Sequence, residues 1–463
     1  MFQKPPRREG FLVFLMLASS LSIIYCLYHF NPFFMNRKPL SKSLSEGKEQ
    51  VLPVPTFRTP SDEKLTNQFN IARNIGRSYQ EPSDFSIYYS FFRKSSTVFY
   101  KDKNLAAAPL WSYDSDSVFL IDGKKLRRLN LDLEVQWWFE LQKQDKFADR
   151  ATVSDTEVFV ATQRGQLYRL DKSSGKLQWM IGLESEIVYS PVIYRSFLFL
   201  ILKNNADEYF LTKLNGITGE VIWNRELVGF TEPSRITISS ETSLVLVTDP
   251  NGSLLCLDVN TGNAYWQKKK LGEIRGPATA VGEMAFVATQ DAKAYGIQLK
   301  RKSVSWEYTL SSASKNPFTY IPIYDYVALL TDSGYMHVID VNSGEGIWKY
   351  NTGNSQPNQA VFTVKLDSKS IQHLKLKWKY RGWVLVTPCT EDRLCVMNPA
   401  NGQLLTRYNL RGKSASTPVF IGKNLYLTLK DPQKMPWIKN DTPNPKFSLA
   451  RLSTFHPTPK ESQ

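Results

Sequence analysis

Two cysteines are the residues whose type and spacing point most directly to chemistry in this chain of 463 residues. The apolar runs 382–388 and 393–397 predict two antiparallel strands of one hairpin, with Cys389 and Cys395 on either side of its turn. Side chains that face each other across a hairpin approach to disulfide distance. We therefore predict a Cys389–Cys395 disulfide, and two unpaired, half-buried thiols are the alternative.

No other motif in the sequence indicates a catalytic or metal centre. The histidines lack metal-ligand spacing, and no CxxC, GxSxG or phosphate-loop pattern occurs. The many Asp and Glu residues cannot be sorted into catalytic pairs. We expect no catalytic residue, no metal and no cofactor, and we interpret every histidine as a surface or packing residue: His29, His337, His373 and His456.

One segment combines basic and aromatic side chains. The interval between Trp348 and Thr406 is about 16 residues longer than the other intervals of the repeat described below, which predicts an inserted hairpin within 365–381. Its second half alternates apolar with basic residues, the period of a strand with one basic face. Such a hairpin could contact an anionic membrane surface or an acidic protein, and two lengthened sheet strands are the alternative. The candidate contact residues are Lys375, Lys377, Trp378, Lys379, Tyr380 and Arg381.

A repeat of about 40 residues organises most of the chain. A good copy, such as 171–179, has Asp or Asn, then Gly four residues later, then Trp after four more. Asp or Asn caps the amides of a turn, and Gly supplies the positive φ of a tight hairpin. A large Trp on the following outer strand covers the gap to the neighbouring sheet. The predicted structural docking residues are Trp138, Trp179, Trp223, Trp266, Trp306 and Trp348.

A second series of positions predicts how many sheets there are. Seven prolines from Pro109 to Pro418, and Ala151 in a copy without proline, mark the starts of eight inner strands, whereas only seven outer strands are found. The stretch 85–100 could return beside 447–455 to supply the missing strand and so close a ring without open edges. The predicted fold is all-β, a closed eight-bladed β-propeller, with seven blades as the alternative.

At the Asp, Ser/Thr, Gly and Trp positions of this repeat, the chain resembles the tryptophan-docking motif of the pyrroloquinoline-quinone (PQQ)-like propeller superfamily, over roughly residues 105 to 455. That superfamily holds quinoprotein dehydrogenases and non-catalytic propellers such as the lipoprotein subunit of the outer-membrane β-barrel assembly machinery. The dehydrogenases share adjacent cysteines beside the quinone and long loops with calcium ligands; here no cysteines are adjacent and the connections are short. The resemblance therefore implies a non-enzymatic scaffold closest in style to the barrel-assembly propeller.

The N-terminal residues predict location. We interpret residues 1–10 as a short basic head. Residues 11–30 contain no charged side chain apart from His29, and a segment of this length can span a bilayer. We expect one transmembrane helix there, with a cleaved secretory signal as the alternative. Residues 31–84 read as a tether, 85–455 as the propeller and 456–463 as a tail. The basic head favours a cytoplasmic N-terminus in a bacterial inner membrane, with the propeller exported to the periplasmic side.

The charge balance bears on partners. A formal net charge of +15 attracts anions, and the alternative is a coat of solubilising lysines. Export would keep the chain from nucleic acid. We expect a monomeric ring that acts as a scaffold for envelope proteins, with outer-membrane protein assembly as the particular suggestion. A quinoprotein-like oxidoreductase and a glycan- or lipid-binding module are the alternative functions.

Overall fold

The computed structural model describes residues 98–101, 110–111, 117–131, 134–142, 144–353, 361–365, 383–390, 392–410, 413–414, 419–421, 424–430 and 447–453. The predicted head, anchor, tether and tail, and the basic segment 366–382, lie outside these residues. Within the described part of the chain, no helix has the length and apolar character needed to cross a membrane.

All regular elements of the described residues are β-strands, and they form eight antiparallel sheets. One strand precedes the first sheet: β1 (Val98–Lys101). Sheet 1 consists of β2 (Leu110–Trp111), β3 (Val118–Asp122), β4 (Lys125–Leu129) and β5 (Val135–Glu140). Sheet 2 consists of β6 (Thr152–Val153), β7 (Glu157–Ala161), β8 (Gln166–Asp171) and β9 (Leu177–Gly182). Sheet 3 consists of β10 (Glu186–Ile187), β11 (Val192–Tyr194), β12 (Phe197–Lys203), β13 (Tyr209–Asn215) and β14 (Val221–Glu226).

The next three sheets repeat the pattern with four strands each. Sheet 4 consists of β15 (Thr237–Ser239), β16 (Leu244–Asp249), β17 (Ser253–Asp258) and β18 (Ala264–Lys268). Sheet 5 consists of β19 (Thr279–Val281), β20 (Met284–Ala288), β21 (Lys293–Gln298) and β22 (Ser303–Thr309). Sheet 6 consists of β23 (Thr319–Ile321), β24 (Tyr326–Leu330), β25 (Tyr335–Asp340) and β26 (Gly346–Asn351).

The last two sheets contain the predicted insertion point and the two ends of the described chain. Sheet 7 is β27 (Phe362–Lys365), β28 (Trp383–Cys389), β29 (Arg393–Met397) and β30 (Leu404–Asn409), and sheet 8 is β31 (Lys413–Ser414), β32 (Val419–Ile421), β33 (Asn424–Lys430), β34 (Phe447–Ser453) and β1. Strand β1 pairs with β34, Val98 opposite Arg451. The prediction that an N-terminal strand completes the last sheet is therefore confirmed over Val98–Lys101.

The turns between third and fourth strands form for the reason that the sequence indicates. In sheet 2, the Asp171 carboxylate accepts hydrogen bonds from the Ser174 backbone N–H at 2.7 Å and the Ser173 hydroxyl at 2.6 Å. Gly175 has a φ of 69° and donates its N–H to the Asp171 carbonyl at 2.8 Å. Burial alone would raise the pKa of Asp171, but these hydrogen bonds lower it, so the carboxylate stays charged and caps the turn.

The core lies between consecutive sheets. Six clusters of buried apolar side chains each combine two neighbouring sheets, from sheets 1 and 2 to sheets 6 and 7. All six residues of β16 are buried, whereas the outer strand β14 exposes most of its residues. Sheets 2 to 6 therefore each use both of their faces for packing, and an outer strand such as β14 meets solvent.

Candidate functional site

The tryptophans join consecutive sheets, as their register predicts. In sheets 1 to 7, a bulge in the outer strand places one residue opposite a fixed position of the strand before it: Thr406 in sheet 7 and a tryptophan in the others, such as Trp179 opposite Arg169 in sheet 2. Four indole Nε1–H groups in the predicted register donate to a backbone carbonyl of the next sheet: Trp179 to Ile217 at 2.9 Å, Trp266 to Leu299 at 2.9 Å, Trp306 to Val341 at 2.8 Å and Trp348 to Pro399 at 2.9 Å.

The prediction of Trp138 as the docking residue of sheet 1 is wrong by one position. The bulge in β5 follows Val135, so Trp137 lies opposite Arg128 and occupies the place that Trp179 has in sheet 2. Trp137 donates to the Lys172 carbonyl at 3.0 Å, and a Cβ on Gly175 would lie 2.6 Å from its ring. Trp138 lies on the other face, half-buried, with the Lys125 ammonium 6.0 Å from its ring centroid.

Threonines at the starts of inner strands make a second set of links between sheets. Each Oγ1–H donates to the carbonyl just before the corresponding inner strand of the next sheet, which is β11, β19, β23 and β27 in turn: Thr152 to Pro191 at 2.5 Å, Thr237 to Ala278 at 2.5 Å, Thr279 to Phe318 at 3.3 Å and Thr319 to Val361 at 2.5 Å. In sheet 3 the corresponding residue is Val192, which has no hydroxyl. The junction between sheets 3 and 4 therefore lacks this bond.

Charged side chains are concentrated beside that junction. Asp149 precedes β6, Ser190 precedes β11 and Arg235 precedes β15, so the three come from consecutive sheets. One Asp149 oxygen, Oδ2, accepts hydrogen bonds from the Arg235 guanidinium and from the Ser190 hydroxyl at 3.1 Å. The Arg235 guanidinium also lies over the Tyr189 ring, 4.9 Å from its centroid. With Arg150, whose Nε is 4.0 Å from Asp149 Oδ1, these five residues form what we call the inner-end cluster.

The electrostatics of the inner-end cluster favour the charged forms of Asp149 and Arg235. Burial would raise the pKa of Asp149, but the hydrogen bond and charge of Arg235 outweigh it and lower that pKa. Burial lowers the pKa of the Arg150 guanidinium; the charge of Asp149 acts in the opposite direction and that of Arg235 lowers it further. Two cations thus share one carboxylate, an arrangement suited to holding an anion and not to proton transfer.

The predicted contact and disulfide residues have different outcomes. Lys375, Lys377, Trp378, Lys379, Tyr380 and Arg381 lie outside the described residues, so their role stays a prediction. Cys389 and Cys395 form a disulfide in the structure, with Cα atoms 5.6 Å apart at the end of the β28–β29 hairpin. Both side chains are buried in the cluster between sheets 6 and 7.

One histidine that the sequence could only class as ordinary has a defined role in packing. His337 on β25 is buried and connects sheets 5 and 6. Its Nε2 accepts the Ser311 backbone N–H at 3.2 Å, so this nitrogen carries no proton, and the Ser311 hydroxyl, 2.7 Å away, donates to it. Its Nδ1–H therefore faces the Tyr308 hydroxyl at 3.2 Å. Burial, with a smaller effect of Lys349, lowers the pKa of His337 to about 4. In the described residues, no group of His, Cys, Asp and Glu has an arrangement that could hold a metal ion.

These repeated antiparallel sheets, joined by docked tryptophans, define an all-β protein of the PQQ-like propeller superfamily. A family model described as outer membrane protein assembly factor BamB matches residues 122–243 and 207–373. Together these segments cover more than half of the chain, so the chain belongs to this family.

Individual relatives are distant. The chain is 22% identical over 286 residues to tetrathionate hydrolase of Acidithiobacillus ferrooxidans, covering 57% of this chain and 53% of that protein. It is 22% identical over 205 residues to BamB of Moranella endobia, covering 42% of this chain and 51% of that protein. The chain thus spans about half the length of each relative. The crystal structure of BamB from Moraxella catarrhalis, 16% identical, has a similar fold over 78% of this chain and 99% of that chain, with a TM-score of 0.54.

Proposed function

We propose that this protein is a non-catalytic scaffold for outer-membrane protein assembly, a propeller held at the membrane by residues 11–30 and exported to the periplasm. Membership of the BamB family is the observation that carries the proposal. We also infer that the eight sheets close into one eight-bladed ring that works as a monomer. This inference is supported by strand β1, which joins the N-terminal and C-terminal ends of the described chain in sheet 8.

The links between sheets support a rigid platform. Sheets 2 and 3, 4 and 5, 5 and 6, and 6 and 7 are each joined by two links, a threonine hydroxyl from the innermost strand and a tryptophan N–H from the outer strand. Two separated links restrict sliding and rotation of one sheet against the next. A frame restricted in this way can present loops to a partner without reorganising when the partner binds.

A test of this function measures outer-membrane assembly in the host. Removal of the protein should reduce the folded fraction of outer-membrane β-barrel proteins, and the full chain should restore it. A chain with Lys375, Lys377, Lys379 and Arg381 all changed to Glu tests whether the basic segment contacts a partner; it should restore assembly only in part. Normal assembly without the protein would refute the scaffold proposal.

The tetrathionate hydrolase relative favours an enzyme as the second candidate. A quinoprotein-like oxidoreductase would show cofactor absorbance in the purified protein, and a hydrolase would turn over tetrathionate. We expect neither. Turnover that survives purification and is saturable would replace the scaffold proposal by an enzymatic one.

A further inference from the structure

The inner-end cluster has one more cation than it needs for its own ion pair. Asp149 carries one negative charge, whereas Arg150 and Arg235 carry two positive charges. Arg235 and Ser190 both use Asp149 Oδ2. Within the described residues, the oxygen left for Arg150 is Asp149 Oδ1. It lies 4.0 Å from Arg150 Nε, which is too far for a hydrogen bond.

Arg150 is placed so that a ligand can reach it. Its side chain is 29% exposed, while the neighbouring Ala151 is buried and holds the backbone in the core. The single proton of the Ser190 hydroxyl is shared between the Arg150 carbonyl at 2.6 Å and Asp149 Oδ2 at 3.1 Å, and the shorter of the two bonds holds the Arg150 backbone in position. A guanidinium presents its N–H groups as a planar fork that matches two oxygens of a carboxylate, sulfate or similar group.

We propose that the inner-end cluster is an oxyanion-binding site, in which Arg150 binds two oxygens of the ligand and Arg235 contributes the second positive charge. The ligand class is a carboxylate or sulfur oxyanion, either free in solution or on an acidic side chain of a bound peptide. Asp149 positions Arg235 and, being negative, weakens the binding of the anion. The inference is independent of the assembly function, because it requires only these residues.

The site can be tested by calorimetry and thermal unfolding on the purified full chain in detergent. Sodium sulfate, sodium glutarate and a Glu-rich peptide are compared with NaCl at equal ionic strength, since general screening must be held constant. We expect binding of the oxyanions beyond that of chloride. Arg150→Gln should weaken it at least about tenfold, the effect of losing one charged hydrogen-bonding pair. The matched control is Arg301→Gln, an exposed arginine in the turn between β21 and β22, which should bind like wild type.

A variant with the opposite expected sign separates a binding site from an ion pair that only stabilises the fold. Asp149→Asn should bind sulfate more tightly than wild type, by up to about tenfold, because the competing charge is removed. Arg150→Lys, which keeps the charge without the fork, should bind between wild type and Arg150→Gln. Tighter binding of the peptide than of glutarate identifies a partner segment as the ligand source, and equal binding identifies a free anion. The proposal would be overturned if the wild-type protein bound the oxyanions no more strongly than chloride. It would also be overturned if Asp149→Asn and Arg150→Gln both bound sulfate with the wild-type affinity.

Discussion

The junction between sheets 5 and 6 differs from the junction between sheets 3 and 4 in the kind of bond that joins the sheets. At the first, the Trp306 indole donates to Val341, the Thr279 hydroxyl to Phe318, and His337 connects Tyr308 and Ser311. All of these are neutral groups, and the Trp306 ring also stacks on Phe286 at 5.8 Å.

The junction between sheets 3 and 4 keeps the packing but replaces the neutral bonds. Trp223 is buried against Phe199, yet its Nε1 has no hydrogen-bond partner among the described residues. A cation crosses instead: the Lys213 ammonium donates to the Val259 carbonyl at 3.0 Å and lies 4.1 Å from the Phe197 ring centroid. Each tryptophan ring also packs on a turn glycine of the next sheet, Trp223 on Gly262 and Trp306 on Gly344. Aromatic packing is therefore the common element of the two junctions, while the polar bonds beside it vary between neutral and charged.

The largest effect should come from removing the shared element. Trp306→Ala and Trp223→Ala should each lower the free energy of unfolding by about 3–5 kcal/mol, because each leaves a cavity between sheets. Denaturant unfolding of the purified protein measures this. Exposed Tyr265 supplies the control, since Tyr265→Ala removes an aromatic side chain outside the core. A loss within error at both tryptophans would mean that packing does not hold the junctions.

Acid should weaken only the junction that depends on a neutral histidine. The pKa of His337 in the fold is about 4 against an ordinary 6.5, so as the pH falls the unfolded chain binds the proton first. The stability is therefore fully present above pH 6.5 and is lost between pH 6.5 and about 4, by at most about 3 kcal/mol. His337→Gln should flatten this pH dependence, measured by unfolding at each pH. An equally steep loss in the variant would assign it to other groups.

Replacing each indole by a phenyl ring separates the hydrogen bond from the packing. Trp306→Phe leaves the buried Val341 carbonyl without its donor, which costs about 1–3 kcal/mol in addition to the smaller ring. Trp223→Phe removes no hydrogen bond to a described residue, so its loss should be the smaller of the two. Equal losses in parallel unfolding experiments would contradict the assignment of different bonds to the two junctions.

The smallest effect is expected at the charged link. Burial lowers the pKa of Lys213, which shows that the cost of desolvating the ammonium offsets much of its attraction to nearby groups. Lys213→Met, of similar length, removes that desolvation cost but also leaves the buried Val259 carbonyl without its donor. Because the two effects oppose each other, the free energy of unfolding should change by less than about 1 kcal/mol. A loss as large as that of Trp306→Ala would show that this charge, and not the aromatic packing, dominates the junction.

The repeat predicted the sheets, the turns and the returning strand β1 because these depend on short-range patterns of Asp, Gly and apolar residues. Trp138 was the wrong choice over Trp137 because a bulge shifts the strand by one residue, and two adjacent tryptophans give the sequence no means to choose. The inner-end cluster was not predicted. Asp149 and Arg235 are 86 residues apart, and only the spatial order of three sheets brings them together.

Crosslinking of the full chain in its native membranes, followed by mass spectrometry, tests the scaffold function most directly. The proposed function predicts crosslinks to outer-membrane assembly proteins, and their yield should fall when Lys375, Lys377, Lys379 and Arg381 are changed to Glu. The matched control exchanges the exposed residues Arg301 and Lys302 for Glu, in a turn of sheet 5. Crosslinks confined to proteins without a part in outer-membrane assembly would contradict the account.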